Sequence, residues 1–465
     1  MSQPLHAPAE PHIAPIDAFT FTLERDPLLR ATIVAVATFE RPPDWELLTD
    51  RIDRATRLVP RFRQKLVDVP LGLAPPRWIV DPDFDLSLHL HRVRVAGSGG
   101  GDGDMAEVLA MARSAGSTSF DRDRPLWQFT LVEGLASGGG ALIMKLHHAL
   151  TDGVGGIEIA AHVVDLSPSA DELGPLPEAP TARPHGLFEV AADTVDHHLG
   201  RLSDVGRSVR DMVPHLLRQG VTHPRRTLGD GVGTALAIGR FVRPVTRTSS
   251  PIMRERRNLR DLGHFDVSQH ALSDAAHRQD STLNDAFLAG VAGGLRRYHE
   301  HHRAAVDHLR ISMPVNVRTD QDGLGGNHVT VERFDLPVGT TDPARRMRRI
   351  GEVCRALRHD PAIPYASTIA SVLNLLPVDV TASMLRHVDL LASNVPGFPS
   401  PVYVGGARME AFHVFGATLG SAANVTLMSY DGTCHVGVST DTGAVPDPDV
   451  FLTCLQEGFA EVVAT

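Results

Sequence analysis

Apolar positions along this chain recur at two spacings. Residues 32–40, TIVAVATFE, are rich in β-branched side chains and predict a strand. Residues 44–59 set Leu47, Leu48, Ile52, Ala55 and Leu58 at steps suited to one helix face, so a helix is expected there. Residues 88–96 alternate Leu and Val with His and Arg, the pattern of a half-buried strand. A helix is expected over 105–117, a strand over 126–135 with Trp127, Phe129 and Leu131 on one face, a strand over 141–146, and a helix over 155–166. The glycine-rich 97–104 reads as a loop. It lacks the glutamate that a calcium loop needs at its last position.

The pattern then changes. Residues 167–186 are Pro-rich and polar, as in a linker. Residues 187–217 carry a stripe of Phe188, Ala191, Val195, Leu199, Leu202, Val205, Val209, Met212 and Leu216, which predicts a long amphipathic helix. Such a stripe packs against a domain or lies on lipid. From residue 259 helices and strands resume. Thr282 followed by Asp285 has the spacing of a capping box. In RISMPVNVR (310–318), Ile311, Met313, Val315 and Val317 share one face and Ser312, Asn316 and Arg318 the other, with Pro314 favouring an edge or a bulge. The expected class is mixed α/β. Residues 1–185 form one domain and 259–465 another, with 186–258 as the connection. No repeat of 20–50 residues is visible, which argues against a solenoid.

Bulk properties narrow the function. The 465 residues carry a formal charge of −10 and have a mean hydropathy of −0.07. There is no basic surplus of the kind that marks a nucleic-acid binder. The short basic runs, such as Arg254, Arg256, Arg257 and Arg260, read as solvated faces. Three scattered cysteines, Cys354, Cys434 and Cys454, lack zinc spacing and fit a reducing compartment. The start of the sequence lacks the basic-then-apolar order of a signal peptide, and no apolar run approaches the length of about 18 residues that a spanning helix needs. The expectation is a cytoplasmic, unsecreted protein that meets membranes, if at all, at the surface.

The chemistry gathers in MKLHHALTDG, residues 144–153. His147 and His148 adjoin at the end of a predicted strand, so they face opposite sides and make a poor metal pair. No metal is expected there. Asp152 and Gly153 form a turn in which the carboxylate fixes an imidazole tautomer or pairs with an arginine, and Gly153 permits close approach. Arg318 is the expected partner of Asp152, with Arg333 as a substitute.

The pattern His147-His148-x-x-x-Asp152-Gly153 resembles the signature of the CoA-dependent acyltransferase superfamily, with its chloramphenicol-acetyltransferase-like fold. Further stretches resemble the bacterial wax ester synthase/diacylglycerol acyltransferase family: PIDAF (15–19), residues 58–86, 120–135, 281–298, 312–318, 391–412 and 424–441. The resemblance implies two chloramphenicol-acetyltransferase-like domains, mixed sheets flanked by helices, and an active-site channel at their interface. It implies that His148 is the general base, with His147, Asp152 and Gly153 in support and Asn284 beside the reacting oxygen. Trp127, in a Pro-Leu-Trp motif, joins Asp285, Asn316 and Arg318 as a substrate-binding set, although capping alone accounts for Asp285. SNVPG (393–397) is read as a polar turn near the domain junction. Phe398 and the pair Ala422-Ala423 depart from the family's habit and leave acyl-chain preference open.

The implied activity is transfer of a fatty acyl group from acyl-CoA, a substrate rather than a cofactor, to diacylglycerol or a long-chain alcohol. A general base suffices because an alcohol is a weak nucleophile and a neutral imidazole can take its proton. Two rivals remain: a condensation-type transferase fed by a carrier protein, and a non-catalytic lipid-binding relative. Contact with the inner membrane or a lipid body would run through 187–217.

Overall fold

The computed structural model describes residues 12–69, 75–96, 103–151, 153–169, 174–182, 247–316, 329–358 and 385–465. The 187–217 stripe, Asp152 and Arg318 lie outside them. The first part contains α1 (Pro15–Leu23), β1 (Thr32–Phe39), α2 (Trp45–Leu58), β2 (Gln64–Val67), β3 (Arg77–Val80), β4 (Leu90–Arg94), α3 (Met105–Ser117), β5 (Trp127–Glu133), β6 (Gly140–His147) and α4 (Gly153–Ala160). The later part contains β7 (Arg260–Ser268), α5 (Gln269–His277), α6 (Leu283–His301), β8 (His308–Asn316), β9 (Val329–Pro337), α7 (Pro343–Arg358), β10 (Leu390–Pro396), β11 (Tyr403–Val404), β12 (Ala407–Phe415), β13 (Ala423–Tyr430), β14 (Thr433–Asp441) and α8 (Pro448–Val463).

Local chemistry accounts for several boundaries. The Asp44 carboxylate accepts from the amides of Glu46 and Leu47 and starts α2. Asp104 and Glu107 form a capping box at α3, and Thr282 and Asp285 form one at α6. The α2 stripe is narrower than its spacing suggests. Leu48, Ile52 and Ala55 are buried, whereas Leu47 and Leu58 sit at its margins, each 39% exposed. The helix expected over 155–166 begins at Gly153 and stops at Ala160, with turns following.

Among the described residues, two six-stranded mixed sheets organise the fold, in the orders β11-β12-β1-β6-β5-β4 and β7-β14-β13-β10-β8-β9. In the first, β4 and β5 run parallel and the other neighbours antiparallel. Its β11 and β12 come from residues 403–415, so the later part of the chain completes the earlier part's sheet. A boundary at residue 259 divides the sequence without dividing the sheets. In the second sheet, SNVP is not a turn but the end of β10, parallel to β13 over its whole length. The alternating apolar and polar residues there read as loop-like only because the flanking Pro-Gly-Phe-Pro supplies turn signals. Pro314 lies in β8 opposite Val331 of β9, and β8 pairs with β10 only at Ile311 and Ser312. The missing amide hydrogen therefore falls where that flank is unpaired.

α6 packs on the second sheet beside α8. Every residue from Asp285 to Leu295 is buried, as expected of a core helix apolar on all sides. The two helices touch at backbone distance. A Cβ on Gly458 would stand 2.3 Å from the Gly294 nitrogen. On the first sheet, α3 covers one face through Val108 and Ala112, and α2 covers the other through Leu48 and Ile52. No described helix is long and apolar enough to cross a membrane.

Candidate active site

β6 delivers the two histidines. Its register against β1 runs from Gly140 opposite Phe39 to His147 opposite Thr32. The ladder continues one step further, because the His148 amide donates to the Ala31 carbonyl at 2.9 Å. Alternation then divides the pair. His147 shares a face with Ile143 and Lys145, and His148 shares the other with Leu142, Met144 and Leu146.

His147 is completely buried. The Ala149 amide donates to its Nδ1 at 3.0 Å, and its own carbonyl accepts from Leu150 at 3.0 Å, closing the turn. Because Nδ1 accepts, a neutral ring carries its proton on Nε2. Glu24 Oε1 stands 3.0 Å from Nε2, at hydrogen-bond distance but off the axis of the ring N–H. The same carboxylate oxygen accepts the Ala31 amide at 2.8 Å. Burial pushes the Glu24 carboxyl up, yet the His147 contact, the Ala31 amide and Arg122 outweigh it and hold the group below its ordinary value. Phe21 and Phe120 meet the His147 ring edge-on at 5.9 and 6.1 Å. His147 thus faces into the protein rather than towards the cavity on the other side of β6.

Lys145, two residues back on this face, is 4% exposed, donates to Thr118 Oγ1 at 3.1 Å and sits 4.3 Å from the Phe120 ring centre. Burial, then the charge of Arg30, pushes it down to about 8. Arg260, at the start of β7, donates to the Arg30 and Thr32 carbonyls at 3.1 and 3.4 Å. It pins the second sheet to the end of β1 where the histidines lie.

The opposite face is apolar. Leu142, Met144 and Leu146 line a cavity of about 140 Å³ together with Ile33, Ala35 and Ala37 of β1. Ile52 and Ala55 of α2 and Gly156, Ile157 and Ala160 of α4 close it on one side. Val395 of β10 and Met428 of β13 bring the second sheet to it, with Phe398 just past β10. Among the described residues Thr151 is its one hydroxyl-bearing lining residue, and with Gly156 it carries the cavity to the histidine turn. His148, partly buried, is the residue after β6 on this same face.

The other candidate residues fall in different places. Gly153 opens α4. Trp127 is 1% exposed, its indole N–H donates to the Phe62 carbonyl at 2.8 Å, and its ring stacks on His89. It stands behind the cavity wall, which Phe62 and Phe129 form. The Asn284 amide nitrogen approaches two sulfurs, Met313 Sδ at 3.8 Å and Cys354 Sγ at 3.9 Å. Asp285 is fully buried and accepts from the Thr282 amide at 2.9 Å and hydroxyl at 2.8 Å, the capping geometry that its spacing predicts. Beside it, burial and then the Asp285 charge push the Cys354 thiol up to about 12, so it is no nucleophile at neutral pH. Asn316 ends β8, opposite Val329. The expected partners Asp152 and Arg318 are both outside the described residues, and Arg333, on β9, stands opposite Ser312 of β8.

Sequence reasoning missed Glu24 and Lys145. Glu24 lies 123 positions before His147 in a segment without periodic or motif signal, and only the fold brings it to the imidazole. Lys145 stands within the quoted motif, but a lysine on a strand otherwise signals solvent.

Comparison with known proteins agrees with this layout. Residues 13–287 match the model of the wax ester synthase/diacylglycerol acyltransferase catalytic domain, and 325–462 match that family's C-terminal domain. A Mycobacterium tuberculosis protein, named provisionally as a diacylglycerol O-acyltransferase, is 35% identical over 97% of this chain and 91% of its own length. A second from the same organism, with the same provisional name, is 29% identical over 92% of each chain. Among solved structures, the wax ester synthase/diacylglycerol acyltransferase of Marinobacter aquaeolei VT8 superposes with a TM-score of 0.63 at 21% identity, covering 97% of this chain and 98% of its own. A starter condensation domain of rhizomide synthetase, solved with C8-CoA, reaches the same TM-score at 12% identity, covering 97% of this chain and 93% of its own. These two likenesses concern the fold, which is the two-lobed mixed α/β architecture that the sequence implied. With both family models matched over most of its length, the chain belongs to the wax ester synthase/diacylglycerol acyltransferase family of O-acyltransferases.

Proposed function

We propose that the protein esterifies diacylglycerol or a long-chain alcohol with the acyl group of acyl-CoA, using His148 as general base. The observation that carries this reading is the apolar cavity on the His148 face of β6, which reaches the histidine turn at Thr151 and Gly156. Its volume of about 140 Å³ is close to the roughly 150 Å³ that admits a benzene-sized ligand, so it takes part of a fatty acyl chain without rearrangement.

In the reaction, His148 accepts the proton of the acceptor hydroxyl as that oxygen attacks the thioester carbonyl. The tetrahedral intermediate collapses, the carbon–sulfur bond breaks, and the imidazolium returns the proton to the departing CoA thiolate. No acyl-enzyme forms, which suits a chain whose three cysteines are all buried, with thiols pushed up by that burial. His147 does not exchange protons in this scheme. It holds the turn through Ala149 and Glu24, and Asp152 and Gly153 shape it.

An acceptor this insoluble has to be met at a lipid surface. The amphipathic 187–217 segment is the part of the sequence suited to that contact. Purified protein, labelled palmitoyl-CoA, and either diacylglycerol or hexadecanol test the reading, with released CoA measured. Ester formation from free acyl-CoA without a carrier protein is expected. Lipid binding with no CoA release would overturn it in favour of a non-catalytic lipid-binding protein, and a requirement for a carrier-bound donor would favour a condensation-type enzyme.

A further inference from the structure

β12 belongs to the first sheet, yet His413 on it meets β7 and β14 of the second. His264 and Asp266 alternate on β7, and His435 of β14 is the register partner of Asp266. Asp266 Oδ1 lies 2.8 Å from His413 Nε2 and 2.8 Å from His435 Nδ1. One donor atom from each of these three residues lies within 4.8 Å of the other two. The imidazoles are deeply buried, at 6% and 3% exposure, with ring centres 5.0 Å apart. The Asp266 side chain is 48% exposed and opens the group to solvent. His264 adds a third imidazole, its ring centre 4.4 Å from that of His413 and its Nδ1 buried without a hydrogen bond. His435 Nε2 is likewise buried and unbonded. Acyl transfer uses none of these side chains.

We propose that Asp266, His413 and His435 bind a divalent transition-metal ion of the zinc class, which ties β12 to β7 and β14 across the junction of the two sheets. Two imidazoles and a carboxylate are the donor set that such ions take, whereas calcium and magnesium favour oxygen alone. All three ligands stand on strands, which hold them more rigidly than loops would. Tetrahedral coordination at about 2.0–2.2 Å sets donor atoms roughly 3.3 Å apart, so the present 2.8 Å contacts must open by about half an ångström. The ion replaces the two N–H···O contacts to Asp266. Each neutral ring then carries its proton on its other nitrogen, which for His435 is the unbonded Nε2. His264 or water fills the fourth position. The exposed Asp266 provides the entry path.

Full-length protein stripped with a chelator and titrated with cobalt(II) tests this. One equivalent should bind with the visible absorption of a nitrogen–oxygen site of low coordination number, and zinc should displace it. At free zinc of one hundred times Kd, the folded-to-unfolded ratio should rise about a hundredfold. Asp266→Asn, at a half-exposed side chain, should keep the fold by circular dichroism and weaken binding at least tenfold. Asp447→Asn serves as the control, since His301, His302 and Asp447 form a separate surface cluster. The proposal fails if no stoichiometric metal binds, if Asp266→Asn binds as wild type does, or if Asp447→Asn is the variant that loses it. Any of these would leave Asp266 as a shared hydrogen-bond acceptor only.

Discussion

Glu24 and His147 face each other 3.0 Å apart, carboxylate oxygen to Nε2, inside a pocket closed by Phe21 and Phe120. The pair sets the histidine turn from behind, because the same imidazole accepts the Ala149 amide. Glu24→Gln keeps the shape and an oxygen for the Ala31 amide but removes the charge. A shift of the turn by an ångström can cost up to about 10²-fold in rate. The expected result is a fall in kcat with KM for acyl-CoA little changed, measured by steady-state CoA release. The Glu24 carboxyl is held below its ordinary value, so its stabilising contribution is present above about 4.5 and is lost as pH falls through the lower folded value. The stability difference between wild type and Glu24→Gln should therefore shrink in acid, as denaturant midpoints would record. A difference that grows in acid would contradict the assigned contact of the Glu24 carboxylate with His147.

His148 is the proton acceptor in the proposed reaction. His148→Ala should lower kcat by about 10²–10⁴-fold, the usual worth of a positioned general base. The melting temperature should move little, because this side chain is only partly buried. Near-wild-type turnover in the folded variant would remove the residue from the mechanism.

Phe398, just past the end of β10, lines the cavity together with side chains of β1 and β6. Phe398→Ala lengthens the space available to an acyl chain. Each further methylene that becomes buried is worth about 0.8 kcal/mol, or roughly fourfold in kcat/KM. A panel of acyl-CoA donors should show preference moving towards longer chains. An unchanged profile would place the acyl chain elsewhere.

Much of this was legible in the sequence for a physical reason: strands and helices with one buried face carry it as a period. The α3 limits match their expectation at both ends, and the Thr282–Asp285 spacing gave the α6 cap. Separation of His147 from His148 followed from strand alternation alone. What stayed hidden depends on long-range contact. Glu24 and Arg260 reach the site from two distant segments, and no local pattern records that. The joining of β12 to the first sheet was hidden likewise, since its alternation fits either sheet. SNVP misled because its Asn, Pro and following Gly are turn residues, whereas pairing with β13 makes the segment a strand.

Lys145 is buried on the His147 face, and its pKa falls to about 8 from an ordinary 10.5, first through burial and then through Arg30. Between those two values the unfolded chain holds a proton that the folded chain has released. Stability contributed by this group therefore rises with pH across the window and is flat below it. Lys145→Met keeps an apolar stem against Phe120 and has no proton to lose. Relative to that variant, the wild type should gain stability from pH 8 to 10.5, as urea midpoints at intervals across the window would record. Comparing the two proteins cancels the cysteines, which titrate in both.

At Gly437 the two sheets meet at backbone distance. It lies in β14 opposite His264, and a Cβ there would stand 2.2 Å from the Val414 carbonyl oxygen of β12. The obstacle is backbone, so no side-chain rotation relieves it. Gly437→Ala must push β12 away from β14 and with it displace Val414, which lines the cavity, and His413, which meets Asp266. Overpacking of this kind costs about 1–3 kcal/mol. The expected outcome is a lower denaturation midpoint together with altered acyl-chain preference. Gly138→Ala is the control: it removes a glycine with a positive φ of 76° in a turn with nothing within 4 Å, so it costs stability through backbone strain alone and leaves chain preference unchanged. If both variants lose stability and neither changes preference, the close approach of β12 and β14 does not shape the cavity.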